Sequence, residues 1–198
     1  MQEISDTCDG HGRCCVQQQM NAVAQQSARD SFPSIPSIPS IEDGRQTVVI
    51  AGNGMTSWRL CHELVECGAT AALRVVVFGA ERYPAYDRVR LTSLLGGGRA
   101  DDLVLAGEEW YAGAGIELHL GDPIVAIDRD ECLVRSASGL EVYYDRLVLA
   151  TGSVPFVPPM PGTDLPGVHL YRTIEDLQTL RLAARGRRRA LPGRGAPR

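Results

Sequence analysis

The stretch Gly52-Asn53-Gly54-Met55-Thr56-Ser57 has the residue types and spacing with the clearest chemistry in this sequence. Two glycines one residue apart let the backbone turn tightly and bring its amides close to a bulky anion. If a helix follows, its unpaired first-turn N–H groups and its dipole favour negative charge at the same place. Such a turn suits a dinucleotide pyrophosphate when it joins a buried strand to a helix; elsewhere a glycine turn merely connects. The third glycine of a dinucleotide fingerprint permits close helix–strand packing, and here Ser57 holds that position. The fingerprint also needs an acid beyond the second strand to take a ribose hydroxyl. Ala80 is the first residue past Phe78-Gly79, so the candidate is Glu81, with a solvated loop charge as its other reading. The loop from Arg82 to Thr92 is aromatic and arginine-bearing; an arginine there can neutralise a phosphate or lie on the surface.

The flanking segments are those the turn requires. Val48-Val49-Ile50-Ala51 is a continuous apolar run, as expected of a strand buried on both faces. After the turn, Trp58, Cys61, Leu64 and Val65 recur at helical spacing, and Gly68 closes the helix. Val75-Val76-Val77-Phe78 is a second buried strand, completing a βαβ unit with a parallel sheet. Beyond Gly121, the short β-rich runs Ile124–Ile127, Cys132–Arg135 and Val142–Tyr144 predict an antiparallel meander. Leu147-Val148-Leu149-Ala150 reads as a third buried strand, ending in Thr151-Gly152. Five prolines between 155 and 166 then exclude regular structure until a short helix near Thr173–Leu182. The fold class is therefore α/β, a Rossmann-like parallel sheet with an antiparallel β-meander insertion.

The ends differ from this body. Residues 1–46 hold a Gln-rich stretch and three Pro-Ser-Ile repeats, expected to form a disordered extension and a Pro-rich linker. The folded domain is expected over 47–182. Residues 183–198 are Ala, Arg, Gly and Pro except for Leu191, which suits either a basic disordered tail or a reading frame cut or shifted in a GC-rich gene. That tail carries 6 of the 20 basic residues and no acid, leaving 14 arginines against 24 acids in the rest, a net of −10. A body so acidic is not expected to bind nucleic acid. With no apolar run near the roughly 20 residues a bilayer demands and no signal-like start, the expectation is a cytoplasmic protein without membrane contact. There is no lysine at all, which excludes Schiff-base and P-loop chemistry.

The order of these motifs resembles the two-dinucleotide flavoproteins of the glutathione-reductase fold, in which a strand ends in Ala-Thr-Gly, here Ala150-Thr151-Gly152. More narrowly, it resembles the N-terminal FAD-binding portion of the large subunit of NAD(P)H-dependent nitrite reductases. The residues that carry this are Val49 to Met55, Phe78-Gly79, Pro84 to Arg88, Glu109-Trp110-Tyr111, Gly115 to Pro123, and Ser153 to Pro159. The resemblance implies FAD, with Gly52, Asn53, Gly54 and Met55 at the pyrophosphate and Glu81 at the adenosine ribose. It also implies Arg88 near the phosphates or flavin side, Val125 at the adenine, and Thr151 and Gly152 against the cofactor again. In that family NAD(P)H is the donor, and electrons pass through iron–sulfur centres to sirohaem, where nitrite becomes ammonia. A small-molecule substrate is expected as partner, but the NAD(P)H site is not expected in this chain, since no second Gly-x-Gly-x-x-Gly occurs. A partner chain supplying the NAD(P)H and sirohaem parts would complete the enzyme. The alternatives are a ferredoxin- or rubredoxin-reductase-like flavoprotein and a truncated remnant without activity of its own.

No catalytic side chain and no metal site are expected. Cys61 and Cys67 read as packing residues, because six residues apart on a helix they point to different faces. Cys8, Cys14 and Cys15 with His11 form at best a metal cluster in an unstructured segment. The absence of Cys-x2-Cys or Cys-x4-Cys after the first strand argues against a disulfide reductase. Neither His62, His119 nor His169 has a nucleophile at a recognisable spacing, and Trp110 and Tyr111 read as core or helix-face aromatics.

Overall fold

The computed structural model describes residues 44–185. The extension up to residue 43, with Cys8, Cys14 and Cys15, and the tail from residue 186 lie outside the described residues. Strand β1 (Gln46–Ala51), helix α1 (Met55–Glu66) and strand β2 (Leu73–Gly79) form the expected βαβ unit. Helix α2 (Glu108–Gly113) leads into β3 (Ile116–Leu120). The meander is β4 (Ile124–Asp128), β5 (Leu133–Ser136) and β6 (Glu141–Tyr143), paired antiparallel. The chain returns as β7 (Arg146–Leu149), and the last described helix is α3 (Ile174–Ala184). No helix or strand lies between 150 and 173, as the prolines require.

Four strands form one parallel sheet in the order β3-β2-β1-β7. Alternate residues of β1 and β2 serve two different cores. Val48, Ile50, Val75 and Val77 pack with Cys61 of α1, Tyr111 of α2 and Ile116. Val49, Val76 and Phe78 pack with Val134 and Val142 of the meander. Helices cover one face of the sheet and a second sheet covers the other, which is why these strands read as unbroken apolar runs rather than alternating ones. A third, separate cluster joins Tyr86, Leu91, Leu94 and Leu103 to Ile174 and Leu177 of α3.

One expectation needs correction. The run Leu147–Ala150 is not buried on both faces: Leu147 and Val148 are half-buried, and Leu149 is 66% exposed. Apolar composition signals that a face will be covered without saying by what, and β7 is one of the two edge strands of the sheet. Its placement is nevertheless well determined. The Thr47 N–H donates to the Asp145 carboxylate at 2.7 Å, and the Asp145 N–H donates back to Thr47 O at 2.9 Å. This reciprocal pair locks the start of β7 beside the start of β1, so that Ala51 and Leu149 come level at the other end.

Helix α3 begins in a capping box: the Thr173 hydroxyl accepts from the Asp176 N–H at 3.0 Å, and the Asp176 carboxylate accepts from the Thr173 N–H at 3.0 Å. Thr173→Ala leaves one of these donors unpaired and is expected to lower stability by about 1 kcal/mol, read by urea denaturation of the 198-residue chain.

Candidate nucleotide-binding site

The turn after β1 owes its shape to two glycines with different reasons to be there. Gly52 has φ of +108°, and its N–H donates to Phe78 O at 2.7 Å. A Cβ on Gly52 would lie 2.6 Å from the Ala150 carbonyl carbon and 2.9 Å from Thr151 Cα, closer still to the Ala150 oxygen. Backbone, not a movable side chain, fills that space. Gly52 is therefore the point at which the ends of β1, β2 and β7 converge. Gly54 is the N-cap of α1, in an extended conformation open to any residue, and a Cβ there would meet nothing within 4 Å. Space lies open beside its backbone, at the start of a 12-residue helix whose first turn has neither a side-chain cap nor an acid. Those first-turn N–H groups lack intrahelical partners by construction.

Asn53, between the glycines, is fixed from behind. Its Oδ1 accepts from the Tyr111 hydroxyl at 3.1 Å, while its Nδ2 is buried with no hydrogen-bond partner. Gly79 makes room for it, since a Cβ at 79 would come within 2.9 Å of Asn53 Cβ. Ser57, in the place of the third glycine, is fully buried on the same face of α1 as Cys61, so the helix accommodates one hydroxymethyl group against the sheet. Burial pushes the Cys61 thiol up to about 11, leaving it protonated and inert, in keeping with a packing role. Cys67 caps the helix and is exposed. Met55, first in the helix, is 38% exposed.

Glu81 sits two residues past β2 and is not a free loop charge. Its carboxylate accepts from the Tyr86 hydroxyl at 2.7 Å and is ion-paired with Arg88. Arg88 also donates to Arg172 O at 3.4 Å, tying this loop to the segment before α3. What reads as an irregular loop becomes a 3₁₀ segment over Arg88–Gly96, capped by Asp87, whose carboxylate accepts from the N–H groups of Val89 and Arg90. Gly121 N–H donates to Glu81 O and Asp122 N–H to Gly79 O, both at 2.9 Å, so the turn into β4 is stitched to the same end of β2. Val125 follows that turn and is 62% exposed. Thr151 and Gly152 are exposed directly after β7, Gly152 with φ of +72°.

The sheet thus gathers the turn 52–55, the Glu81–Arg88 pair and Thr151-Gly152 at the carboxyl ends of β1, β2 and β7. From β1 the chain moves outward one way through β2 and β3 and returns on the other side as β7. Ligands of open α/β sheets bind in the crevice at such a reversal. Tyr111 and Tyr86 are the two residues that sequence reading does not assign to this site. Tyr111 reads as a core or helix-face aromatic and Tyr86 as one residue of an aromatic, arginine-bearing loop; the hydroxyl partners at 53 and 81 have no local spacing signal for Tyr111 and only a weak one for Tyr86. Among the described residues there is no group of His, Cys, Asp and Glu fit to hold a metal ion, and no helix is long and apolar enough to cross a membrane.

Comparison with known proteins agrees with this geometry. The chain is 43% identical over 152 residues to the NAD(P)H nitrite reductase large subunit of Klebsiella oxytoca, an alignment covering 76% of this chain and 16% of that protein. It is 39% identical over 137 residues to the assimilatory nitrate reductase electron transfer subunit of Bacillus subtilis, covering 69% of this chain and 18% of that one. Among solved structures, the ferredoxin reductase of the CYP199A2 system from Rhodopseudomonas palustris matches with a TM-score of 0.63 at 30% identity, over 70% of this chain and 34% of its own. The chain spans about a sixth of the length of those two curated relatives. Residues 46–196, which include both sheets and the turn between β1 and α1, match a single family, and the chain belongs to it: the pyridine nucleotide-disulphide oxidoreductases.

Proposed function

We propose that residues 47–182 are the first part of an FAD-binding domain in an NAD(P)H-dependent oxidoreductase of the nitrite reductase type. The observation that carries this reading is the open, uncapped helix start at Gly54, next to an Asn53 whose buried Nδ2 has no hydrogen-bond partner. An open helix start whose first-turn N–H groups lack intrahelical partners fits a pyrophosphate better than it fits a simple connection. Gly52, Asn53, Gly54 and Met55 would face that group, Glu81 the adenosine ribose and Arg88 a phosphate. Val125 would lie at the adenine, and Thr151-Gly152 would close the crevice from β7. Bound there, FAD would supply hydride acceptance from NAD(P)H and onward transfer of single electrons. The chain's own part would be to bind and orient the cofactor.

In the complete enzyme the electrons would continue through iron–sulfur centres to sirohaem for conversion of nitrite to ammonia, in the cytoplasm. A partner chain or further sequence would provide the NAD(P)H and sirohaem parts. Residues 1–46 and 183–198 would be an extension and a basic tail outside the chemistry. The likeness to a ferredoxin reductase structure at 30% identity keeps a second reading alive, in which the acceptor is a small iron–sulfur protein instead. Titration of the purified chain with FAD tests the shared core of both readings. Uptake with a resolved visible spectrum and quenched flavin fluorescence is expected; a chain that leaves added FAD free in solution overturns the reading.

A further inference from the structure

The Glu81 carboxylate is held from two sides by residues of its own loop. The Tyr86 hydroxyl donates to Oε2 at 2.7 Å, and Arg88 pairs with Oε1. The Arg88 guanidinium also lies over the Tyr86 ring, 5.1 Å from its centroid. Tyr86 itself is anchored: its ring is buried among Leu91, Leu94, Leu103, Ile174 and Leu177. Its neighbours are tied down by the bonds from Asp87 N–H to Leu103 O at 2.9 Å and from Leu105 N–H to Ala85 O at 2.8 Å. A fixed phenol thus reaches out of a packed cluster to a glutamate that would otherwise be free to sample several rotamers. Each carboxylate oxygen accepts one bond from the protein and keeps a lone pair for a ligand hydroxyl.

We infer that Tyr86 is a positioning residue for the cofactor, holding the Glu81 carboxylate in the orientation in which it accepts from the adenosine ribose. This rests on the FAD reading above. Burial, and then the hydrogen bond to Glu81, push the phenol well above the ordinary tyrosine range, so it remains a donor throughout the physiological pH range. The ring fills the cluster and the hydroxyl serves the carboxylate; phenylalanine would do the first and not the second. Arg88 alone, pairing from one side, leaves the carboxylate free to rotate about that contact.

The test compares Tyr86→Phe with the parent 198-residue chain, using FAD and an FAD analogue that lacks the adenosine 2′-hydroxyl. Tyr86→Phe is expected to weaken FAD by about tenfold and the analogue by less than about twofold, the loss of one hydrogen bond to a charged group being spread over an indirect effect. In a Glu81→Ala background, where the hydroxyl has no acceptor at position 81, the same substitution is expected to cost nothing further. Equal weakening of FAD and analogue, additive losses in the double variant, or no loss at all would each overturn the inference. So would failure of Tyr86→Phe to fold by circular dichroism, which would assign the hydroxyl to the fold alone. If the parent chain itself takes up no FAD, both this inference and the flavin reading fall; binding by the parent without the selective loss removes this inference and leaves that reading standing.

Discussion

Gly52→Ala is expected to cost about 3–5 kcal/mol of folding stability, among the largest effects of any single methyl in this chain. Two penalties coincide. A φ of +108° lies in a region that residues with a Cβ rarely adopt. The added carbon also meets the Ala150 carbonyl and Thr151 Cα rather than a side chain that can rotate away. Relief requires that the end of β7 move off the end of β1, which breaks the bond from Ala150 N–H to Ala51 O at 2.8 Å. The strain also threatens the Gly52 N–H to Phe78 O bond that joins β1 to β2. Chemical denaturation followed by circular dichroism measures the loss. A drop below about 1 kcal/mol would mean that the strand ends are not held together as the geometry requires.

The same residue shows what sequence reading captures and what it misses. A glycine at the end of an apolar run, three residues before a helix, is legible as a tight turn. That its missing side chain makes room for β7, nearly 100 residues later in the chain, is not, because strand neighbours are set by topology and not by local pattern. Three of the four parallel strands, the βαβ unit and the meander were readable, since continuous apolar runs and turn residues at short spacing are local signals; β3, whose apolar residues are interrupted by Glu117 and His119, was not. The exposure of Leu149 was not readable: apolarity records that a strand face is meant to be covered and is silent about the cover. Phe156 and Val154, 83% and 89% exposed in the proline-rich segment, carry the same ambiguity.

At the site, residue types were more legible than their relations. Glu81 was identifiable because an acid must follow the second strand, yet its two readings, ribose ligand and solvated charge, differ only in what surrounds the carboxylate. The structure places a phenol and a guanidinium there, which excludes the solvated charge and leaves the ligand role as a proposal. Arg88 likewise proves to be engaged with Glu81 and with Arg172 O, so any contact it makes to a phosphate has to share or exchange these partners. Ser57 departs from the fingerprint, yet it is fully buried on the face of α1 that it shares with Cys61, which packs against the valines and isoleucine of the sheet.

Gly54→Val separates binding from folding at the position where the two have different demands. The backbone at 54 is extended, so a β-branched residue fits it, and a Cβ there encounters no protein atom within 4 Å. Losing glycine at an N-cap is worth about 1 kcal/mol at most, and stability is expected to change by no more than that. The space filled by the valine is, however, the space from which an anion would reach the N–H groups of the first helical turn. FAD affinity is therefore expected to fall at least about 100-fold, the equivalent of roughly 2.7 kcal/mol in lost and blocked contacts. Paired measurements, denaturation midpoints beside FAD titrations, give the two numbers on one preparation. A variant that folds and still binds FAD like the parent would remove the pyrophosphate from this turn. A variant that loses both together would show that Gly54, like Gly52, is needed for the chain to fold, and the distinction between the two glycines drawn from their surroundings would fail.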